Sequence, residues 1–385
     1  MKKKKILFIA TRNFYPTDSG DKLHSLGVVK RMSVENDVYL LNFLDSHPYS
    51  SPDLEKLNKF CYKVFSYRLP ENSIFTTALN TLKGNTWMIA KRSNSFAKRK
   101  IIKIIADYGP FEIIIWDHLR ATANYVSNDS FNTLFEHNNE LKIIKNMRDL
   151  NKNILMKTLL HVQVYLMKKY LKAIYNNVQK IVFVSKEDID AQFINKSTYL
   201  EQLILNFEHG SFVDSRSSKT KLLFVGSLDW YPNVNGMKWF IENIYHELEK
   251  KQPQFELNIV GRNPSKNFEK LVEKYPKINL YKNVKSVEKF FIESDIFINP
   301  IFDGGGINIK ILEALSYGIP IISSSFGLRA YIGSQFIPHA DNTDQFMFHF
   351  EKLKSDYYNE LMISELNFYN DYQQKNLLEI QKFLP

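Results

Sequence analysis

The sequence predicts an α/β fold with two domains of similar size, each a parallel sheet wrapped by helices. Strand-like apolar runs alternate with helical stretches along nearly all of the 385 residues, and this alternation is typical of parallel sheets. It is interrupted at residues 206–220, which are polar, rich in serine and without periodicity, as in a linker. We expect domains at residues 1–205 and 221–365, and a last helix at 366–385 able to pack back on the first domain.

In the first domain the apolar runs predict strands that alternate with helices. These strands are Lys5–Ala10, Asp37–Asn42, Cys61–Tyr67, Glu112–Trp116, Thr133–Glu136 and Lys180–Ser185. A helix is expected from Asn94 to Tyr108, started by a capping side chain and ended by Gly109-Pro110. Residues 139–177 predict one long helix or two abutting ones.

In the second domain a similar series follows the linker. The predicted strands are Lys221–Gly226, Glu256–Gly261, Lys277–Tyr281, Asp295–Asn299, Ile319–Ser323 and Gln335–Pro338. A helix is expected from Val234 to Lys250, and residues 341–384 predict a helical tail. Two alternating halves of this kind indicate twin Rossmann-like domains that face a cleft.

Composition limits the classes of protein to consider. The hydrophobic content of 44% fills two cores, and Cys61, the single cysteine, excludes an internal disulfide and a thiolate zinc site. The N-terminal apolar run is too short for a signal peptide. No run of about 18 uncharged apolar residues predicts a transmembrane helix. We expect a cytoplasmic protein.

The net charge of +10 indicates an anionic partner. The basic residues concentrate in the first half, at residues 91–103 and 142–172. Half of this charge is expected on solvated helix faces, and the rest can meet an anionic membrane surface. Zinc-finger spacing and RNA-binding signatures are missing from the sequence, so nucleic acid is not an expected partner. The chain is expected to be peripheral at the inner face of the membrane.

The segment from Phe302 to Pro320 carries the strongest functional signal. Three consecutive glycines, Gly304 to Gly306, stand between a predicted strand and a predicted helix. Such a loop lets the backbone approach a ligand closely, and the helix N-terminus favours an anion such as phosphate. Lys310 and Glu313 share a face of that helix. One can neutralise a diphosphate and the other can accept hydroxyl hydrogen bonds, which is the chemistry of holding a nucleotide-sugar.

Three further candidates follow predicted strands of the first domain. The segment from Tyr15 to Gly20 contains Asp18 and opens a helix. His118 stands just past Glu112–Trp116, where open α/β sheets place ligands; the alternative is a loop histidine that caps the next helix. His137 follows Thr133–Glu136, and its alternative is a structural histidine.

Several longer segments resemble retaining glycosyltransferase family 4, which has the GT-B fold. The second half matches at residues 222–236, 257–264 and 303–320, and the first half matches more loosely at 5–20, 116–125 and 135–139. The resemblance spans nearly the whole chain and extends to bacterial sugar transferases with a GGGI loop. It implies the fold and the reaction class and leaves the sugars open.

The chain departs from the family at two places. Gly226-Ser227-Leu228 stands where the family has an arginine that clasps the donor diphosphate, and Asn235-Gly236 where it has a lysine. Glu313 matches the family's second glutamate, which binds the ribose, but Gly305 replaces the first one. Lys310 and Arg262 are the expected substitute cations, and Asp303 the substitute acid; the alternative for Arg262 is an ordinary surface charge.

The resemblance implies transfer of a hexosyl group from a nucleoside diphosphate donor to a glycan or lipid-linked acceptor, with retention, in cell-surface polysaccharide synthesis. The expected catalytic residues are His118, Lys310, Arg262 and Asp303. The expected donor-binding residues are Gly20, Gly226, Ser227, Gly304, Gly305, Gly306, Ile307, Asn308, Glu313, Tyr281 and Val284. The expected acceptor-binding residues are Asp18 and His137. The donor is expected to be UDP- or GDP-linked, and no metal or other cofactor is expected to be required. Two alternatives remain: a nucleotide- or glycan-binding subunit without catalysis, and a nucleotide-sugar epimerase on the same fold.

Overall fold

A computed structural model of the chain describes residues 3–15, 17, 20–44, 49–69, 72–184, 186–201, 204–205, 220–304, 308–329, 331, 333–355 and 357–385. The chain divides into two compact units. Unit 1 contains residues 1–206 and 374–385, and unit 2 contains residues 207–373.

Unit 1 is built on a parallel sheet. Its strands are β1 (Lys5–Ala10), β2 (Asp37–Leu44), β3 (Lys63–Arg68), β4 (Ile113–Asp117), β5 (Phe131–Glu136), β6 (Lys180–Phe183) and β7 (Ser197–Tyr199). Their order is β3-β2-β1-β4-β5-β6-β7, and every neighbouring pair is parallel. Ile6 to Ala10 are fully buried, because β1 is covered by helices on both faces. The chain reverses its direction of travel across the sheet at β1, and ligands bind at the carboxyl edge beside such a point.

The helices of unit 1 cover this sheet. They are α1 (Gly20–Glu35), α2 (Ser51–Asn58), α3 (Ile74–Leu82), α4 (Trp87–Ala90), α5 (Ser95–Tyr108), α6 (Glu140–Leu150) and α7 (Ile154–Asn177), with 3₁₀ segments at Leu119–Asn124, Lys186–Asp188 and Ala191–Lys196. Asn94 caps α5, since its side chain accepts a hydrogen bond from the backbone N–H of Phe96 at 2.8 Å. The expectation of one long or two abutting helices at 139–177 resolves into two.

The end of the chain completes unit 1. A 3₁₀ segment, Ile380–Phe383, follows the last helix. The carbonyl of Phe383 accepts a hydrogen bond from Oγ1 of Thr133 at 2.8 Å, and the ring of Phe383 packs edge-on against Phe135. These contacts hold the last residues against β5.

Unit 2 is built on a second parallel sheet. Its strands are β8 (Thr220–Val225), β9 (Phe255–Gly261), β10 (Ile278–Lys282), β11 (Ile296–Asn299) and β12 (Ile321–Ser323), in the order β10-β9-β8-β11-β12. The helices are α8 (Tyr231–Asn243), α9 (Tyr245–Lys251), α10 (Lys266–Val272), α11 (Glu288–Ile292), α12 (Ile309–Ser316), α13 (Ser325–Leu328), α14 (Thr343–Lys352) and α15 (Tyr357–Glu379), whose residues from Gln374 onward belong to unit 1. The direction of travel reverses between β8 and β11, which places the candidate ligand edge there.

Two predictions of secondary structure are wrong, and one strand was missed. The helix expected from Val234 to Lys250 is two helices, because the chain turns at Ile244, whose side chain is fully buried beside that of Tyr245. Gln335–Pro338 is not a strand, since Ser334 to Ile337 form a turn and the pairing seen here among the described residues is a single bridge from His339 to β12. The short edge strand β7 was not predicted. Within the described ranges, no helix is long and apolar enough to cross a membrane.

Candidate functional site

The loop before α12 is tied to the sheet by side-chain amides. Asn299, the buried last residue of β11, donates from Nδ2 to Oγ of Ser323 at 2.8 Å and accepts at Oδ1 from Nδ2 of Asn308. Asn308 is the N-cap of α12, and its carbonyl accepts a hydrogen bond from the hydroxyl of Tyr331 at 2.7 Å. These bonds fix the N-terminus of α12, the positive end of its dipole, at the carboxyl edge of the sheet.

Lys310 and Glu313 form an ion pair on the first turns of α12. Nζ of Lys310 donates to Oε2 of Glu313, and both side chains are largely buried. The structure therefore brings together the two residues that the sequence placed on one face. The ammonium group orients the carboxylate, and Lys310 is the second residue of α12.

Position 304 requires a glycine because of its backbone conformation. Its φ is +114°, and a Cβ atom would lie 2.9 Å from Cγ of Pro232. Asp303, the expected substitute acid, is exposed in this loop. Gly305, Gly306 and Ile307 lie outside the described residues.

A second polar group of unit 2 follows β8 and β9. Nε of Arg262 donates to Oγ of Ser227 at 2.8 Å, and Ser227 donates in turn to Oδ1 of Asp229 at 2.7 Å. Nδ2 of Asn263 donates to the other oxygen of Asp229 at 2.9 Å. Hydrogen bonds from Asn263 and Ser227, with the nearby charge of Arg262, lower the pKa of Asp229. The guanidinium of Arg262 is thus hydrogen-bonded to the loop in which glycosyltransferase family 4 has an arginine and this chain has none.

Gly226 and the residues expected to hold the base flank this group. A Cβ atom on Gly226 would lie 2.8 Å from Nδ2 of Asn233, so the loop is closely packed there. Tyr281, in β10, is half-exposed, and its ring packs against that of Phe290 at 4.6 Å between centroids. Val284 follows the end of β10 and is half-buried. All of these residues lie at the carboxyl edge of one sheet, as α12 does.

At the carboxyl edge of unit 1 lies a group that we call the histidine cluster. It consists of His24, Ser25, Asp117, His118 and His137. Asp117, the fully buried end of β4, accepts hydrogen bonds from Oγ of Ser25 at 2.9 and 3.0 Å and lies 2.7 Å from Nε2 of His137. The carboxylate acceptor indicates that Nε2 of His137 carries a proton. His137 is thereby held in one orientation.

His118 is the strained residue of this cluster. Its φ of 68° and ψ of 150° lie where residues other than glycine are rare, and such strain concentrates at functional sites. Its ring stacks on His137 with 3.7 Å between centroids and an interplanar angle of 15°. Nε2 is buried and makes no hydrogen bond within the described residues. Burial, and then the charge of His137, hold the pKa of His118 well below its usual range, so its imidazole is neutral at pH 7.

Ligand atoms of Asp117, His118 and His137 lie within 4.8 Å of one another. A metal ion, however, binds a histidine nitrogen in the plane of its ring at about 2.0–2.1 Å. The two rings are nearly parallel and 3.7 Å apart, so one ion cannot lie in both planes unless a ring turns. As arranged, the cluster fits a ligand hydroxyl better than a metal.

The remaining predicted residues of unit 1 lie near β1. Gly20 is the first residue of α1. Asp18 lies outside the described residues. Asp21 follows Gly20 and pairs with Arg12, so the start of α1 is attached to the loop after β1.

Several residues of these sites were not predicted, among them Ser25, Asp117, Asn299 and Tyr331. Asp117 and Asn299 each end an apolar strand, and a single polar residue in that position is a usable signal. Ser25 and Tyr331 reach their sites from other elements, and the sequence around them carries no such signal.

The comparisons with known proteins agree with this architecture. Residues 219–356 match the family model "Glycosyl transferases group 1". A protein of Klebsiella pneumoniae, described as an uncharacterized 44.6 kDa protein in the cps region, is 23% identical over 338 residues, which is 84% of this chain and 83% of that protein.

Solved structures match over the whole chain. A glycosyltransferase from Rickettsia africae has a TM-score of 0.62 at 13% identity and covers 100% of this chain and 99% of its own. The Anabaena protein Alr3699/HepE in complex with UDP-glucose has a TM-score of 0.61 at 10% identity, with 98% of each chain covered. The chain therefore has the GT-B fold, and residues 219–356 are similar to group 1 glycosyltransferases.

Proposed function

We propose that the protein transfers a hexosyl group from a nucleoside diphosphate donor to a glycan or lipid-linked acceptor, with retention of configuration. The observation that carries this proposal is the Lys310–Glu313 pair at the N-terminus of α12, inside the domain that matches the group 1 model. Phosphate favours a helix N-terminus with a cation beside it, and an oriented carboxylate accepts hydrogen bonds from ribose hydroxyls.

In this proposal Glu313 binds the ribose, while Lys310, Arg262 and the free N–H groups of α12 bind the diphosphate. Charge that develops on the leaving diphosphate is stabilised by these fixed groups. The bond from the anomeric carbon to the diphosphate oxygen breaks, and the acceptor oxygen bonds to that carbon on the same face. The acceptor proton passes to the leaving diphosphate, so the protein needs no nucleophile and no metal.

In the same proposal the histidine cluster of unit 1 binds a sugar hydroxyl. His118 is neutral, and its Nε2, which has no hydrogen-bond partner in the described part of the chain, can bond a sugar hydroxyl. Asp117 holds His137 by a hydrogen bond, and the ring of His137 positions that of His118 by stacking on it.

Two of the similar proteins support the choice of donor and the role in polysaccharide synthesis. The Anabaena neighbour is solved with UDP-glucose, which makes UDP-linked sugars the first donors to test, ahead of GDP-linked ones. The Klebsiella relative is encoded in a cps region, and this supports a role in cell-surface polysaccharide synthesis.

The test is thermal unfolding with UDP, GDP, TDP and ADP, with and without EDTA. A nucleotide at about a hundred times its dissociation constant adds roughly 2.7 kcal/mol, which raises the melting temperature by a few degrees. We expect one nucleotide to stabilise the wild type, with no effect of EDTA, and Glu313→Gln to lose the shift. Glu242→Gln, an exposed glutamate of the same unit, is the matched control. A shift retained in Glu313→Gln would contradict the ribose assignment.

Turnover separates catalysis from binding. We expect slow hydrolysis of the matching nucleotide-sugar, a released sugar of the donor's own anomeric configuration by NMR, and loss of hydrolysis in Lys310→Ala. The loop at Ser227 lacks the family's arginine, and this favours the second candidate, a subunit that binds without catalysis. Nucleotide binding without turnover for any donor and acceptor would establish that candidate.

A further inference from the structure

Helix α3 leaves its apolar residues uncovered. The helix reads Ile-Phe-Thr-Thr-Ala-Leu-Asn-Thr-Leu, yet none of its residues is buried. The side chain of Ile74 is 92% exposed, and Phe75 and Leu82 are also exposed. A helix with this composition normally buries one face, so the exposure of α3 favours a binding partner for it.

The start of α7 repeats this arrangement. Ile154 and Leu155 are 79% and 78% exposed, and Leu159 is half-exposed. The buried face of α7 begins only at Leu160. Residues 154–159, none of which is buried, therefore precede the part of α7 that packs on the rest of unit 1.

The two exposed segments lie at the same edge of unit 1. Helix α3 follows the carboxyl end of β3, and the α6–α7 hairpin follows the carboxyl end of β5. Helix α4 joins them, because the backbone N–H of Trp87 donates to Oε1 of Gln163 in α7 at 2.9 Å. This is also the edge at which β4 and β5 present the histidine cluster.

The surroundings of these segments are strongly basic. Residues 140–177 contain eight Lys and Arg residues and two acids. Both acids are engaged with arginines: Glu140 is buried 3.4 Å from Arg120, and Asp149 pairs with Arg148 at 2.8 Å. Lys142 and Lys152 are exposed. Apolar side chains are therefore surrounded by uncompensated positive charge.

We propose that this surface, made by α3 and the α6–α7 hairpin, docks on an anionic lipid bilayer. Apolar helix residues flanked by lysines are the pattern that inserts at the headgroup boundary of such membranes. A second copy of the chain fits less well, because the same positive charges would face one another. Nucleic acid would leave the apolar side chains uncovered.

This docking rests on the proposed function for its purpose, and it adds the membrane as a partner of the enzyme. A bilayer at this edge would bring a lipid-linked acceptor to the histidine cluster, and the docking itself needs no turnover. It also explains why the basic residues of this chain concentrate in the first half.

The test is flotation of the whole protein with vesicles of phosphatidylcholine alone or mixed with phosphatidylglycerol. We expect binding only to the mixed vesicles, and release at high salt. Each Lys→Gln change near the surface weakens such binding about fivefold, so the double variant Lys142→Gln/Lys152→Gln is expected to bind about 25-fold more weakly. Ile154→Ser/Leu155→Ser is expected to lose at least about tenfold.

The matched control is Val34→Ser/Leu378→Ser. These apolar residues of unit 1 are 66% and 71% exposed but lie on α1 and α15, and their loss is expected to leave flotation unchanged. Binding to both vesicle types alike, or no binding, would overturn the proposal, as would a wild-type dimer that Ile154→Ser/Leu155→Ser dissociates. Nucleotide stabilisation measured on the same preparations tests the donor site separately, so failure of docking is distinguishable from failure of the proposed function.

Discussion

Replacing Glu136 by glutamine is expected to stabilise unit 1 at neutral pH and to have much less effect at about pH 5. Glu136 ends β5 and is buried, and its Oε1 accepts a hydrogen bond from the hydroxyl of Tyr175 at 3.1 Å. Burial, and then the negative charge of Glu140, raise the pKa of Glu136 to about 8. Glutamine keeps an oxygen that accepts the same hydrogen bond and carries no charge.

The magnitude follows from the two pKa values. The native carboxyl titrates at about 8, against an ordinary value of 4.5. Between these values the native state holds a proton that the unfolded state releases, so the free energy of unfolding falls as pH rises. At 1.36 kcal/mol per pH unit, the advantage of Glu136→Gln should grow by roughly 3 kcal/mol between about pH 5 and about pH 7.5.

The assay is urea unfolding followed by tryptophan fluorescence, in a background where Trp230 and Trp239 of unit 2 are phenylalanine. Trp87 and Trp116 then report on unit 1. The control is Glu112→Gln, at an exposed glutamate in the same unit. Its effect on the free energy of unfolding should be the same at both pH values. An advantage of Glu136→Gln that is equal at both pH values would refute the reasoning, because it would show that the native carboxyl is already ionised.

Three further outcomes are expected. Gly236→Ala should destabilise unit 2 by more than about 2 kcal/mol in thermal unfolding, since its Cβ would lie 2.0 Å from the carbonyl oxygen of Pro300; a neutral result would mean that the backbone moves freely there. Ser265→Ala should cost about 1 kcal/mol, because the side chain caps α10, while Ser364→Ala on an exposed helix face should cost less. Cys61 should react with a thiol reagent only on unfolding, because it is buried and burial raises the pKa of its thiol to about 12; rapid reaction of the native protein would contradict this.

The two parallel sheets were predictable because their strands are continuous apolar runs. Such runs arise where both faces of a strand are covered, as in β1 and β11. The ends of elements were less predictable. The break between α8 and α9 at Ile244 depends on how that side chain packs in the core. Gln335–Pro338 forms a turn in place of the predicted strand.

The candidate site was also predictable only in part. The sequence by itself determined the shared face of Lys310 and Glu313 and the position of His118 after a strand, because each is a local pattern along one element. The glycine loop at residues 304–306 is a local pattern as well and stays a prediction. Only the tertiary structure decided that Ser25 and His137 meet at Asp117, and that Tyr331 bonds the N-cap of α12. These contacts join residues far apart in the chain, and they form where parallel strands bring their carboxyl ends to one edge of a sheet. That edge is a property of the packed fold, which no local pattern encodes.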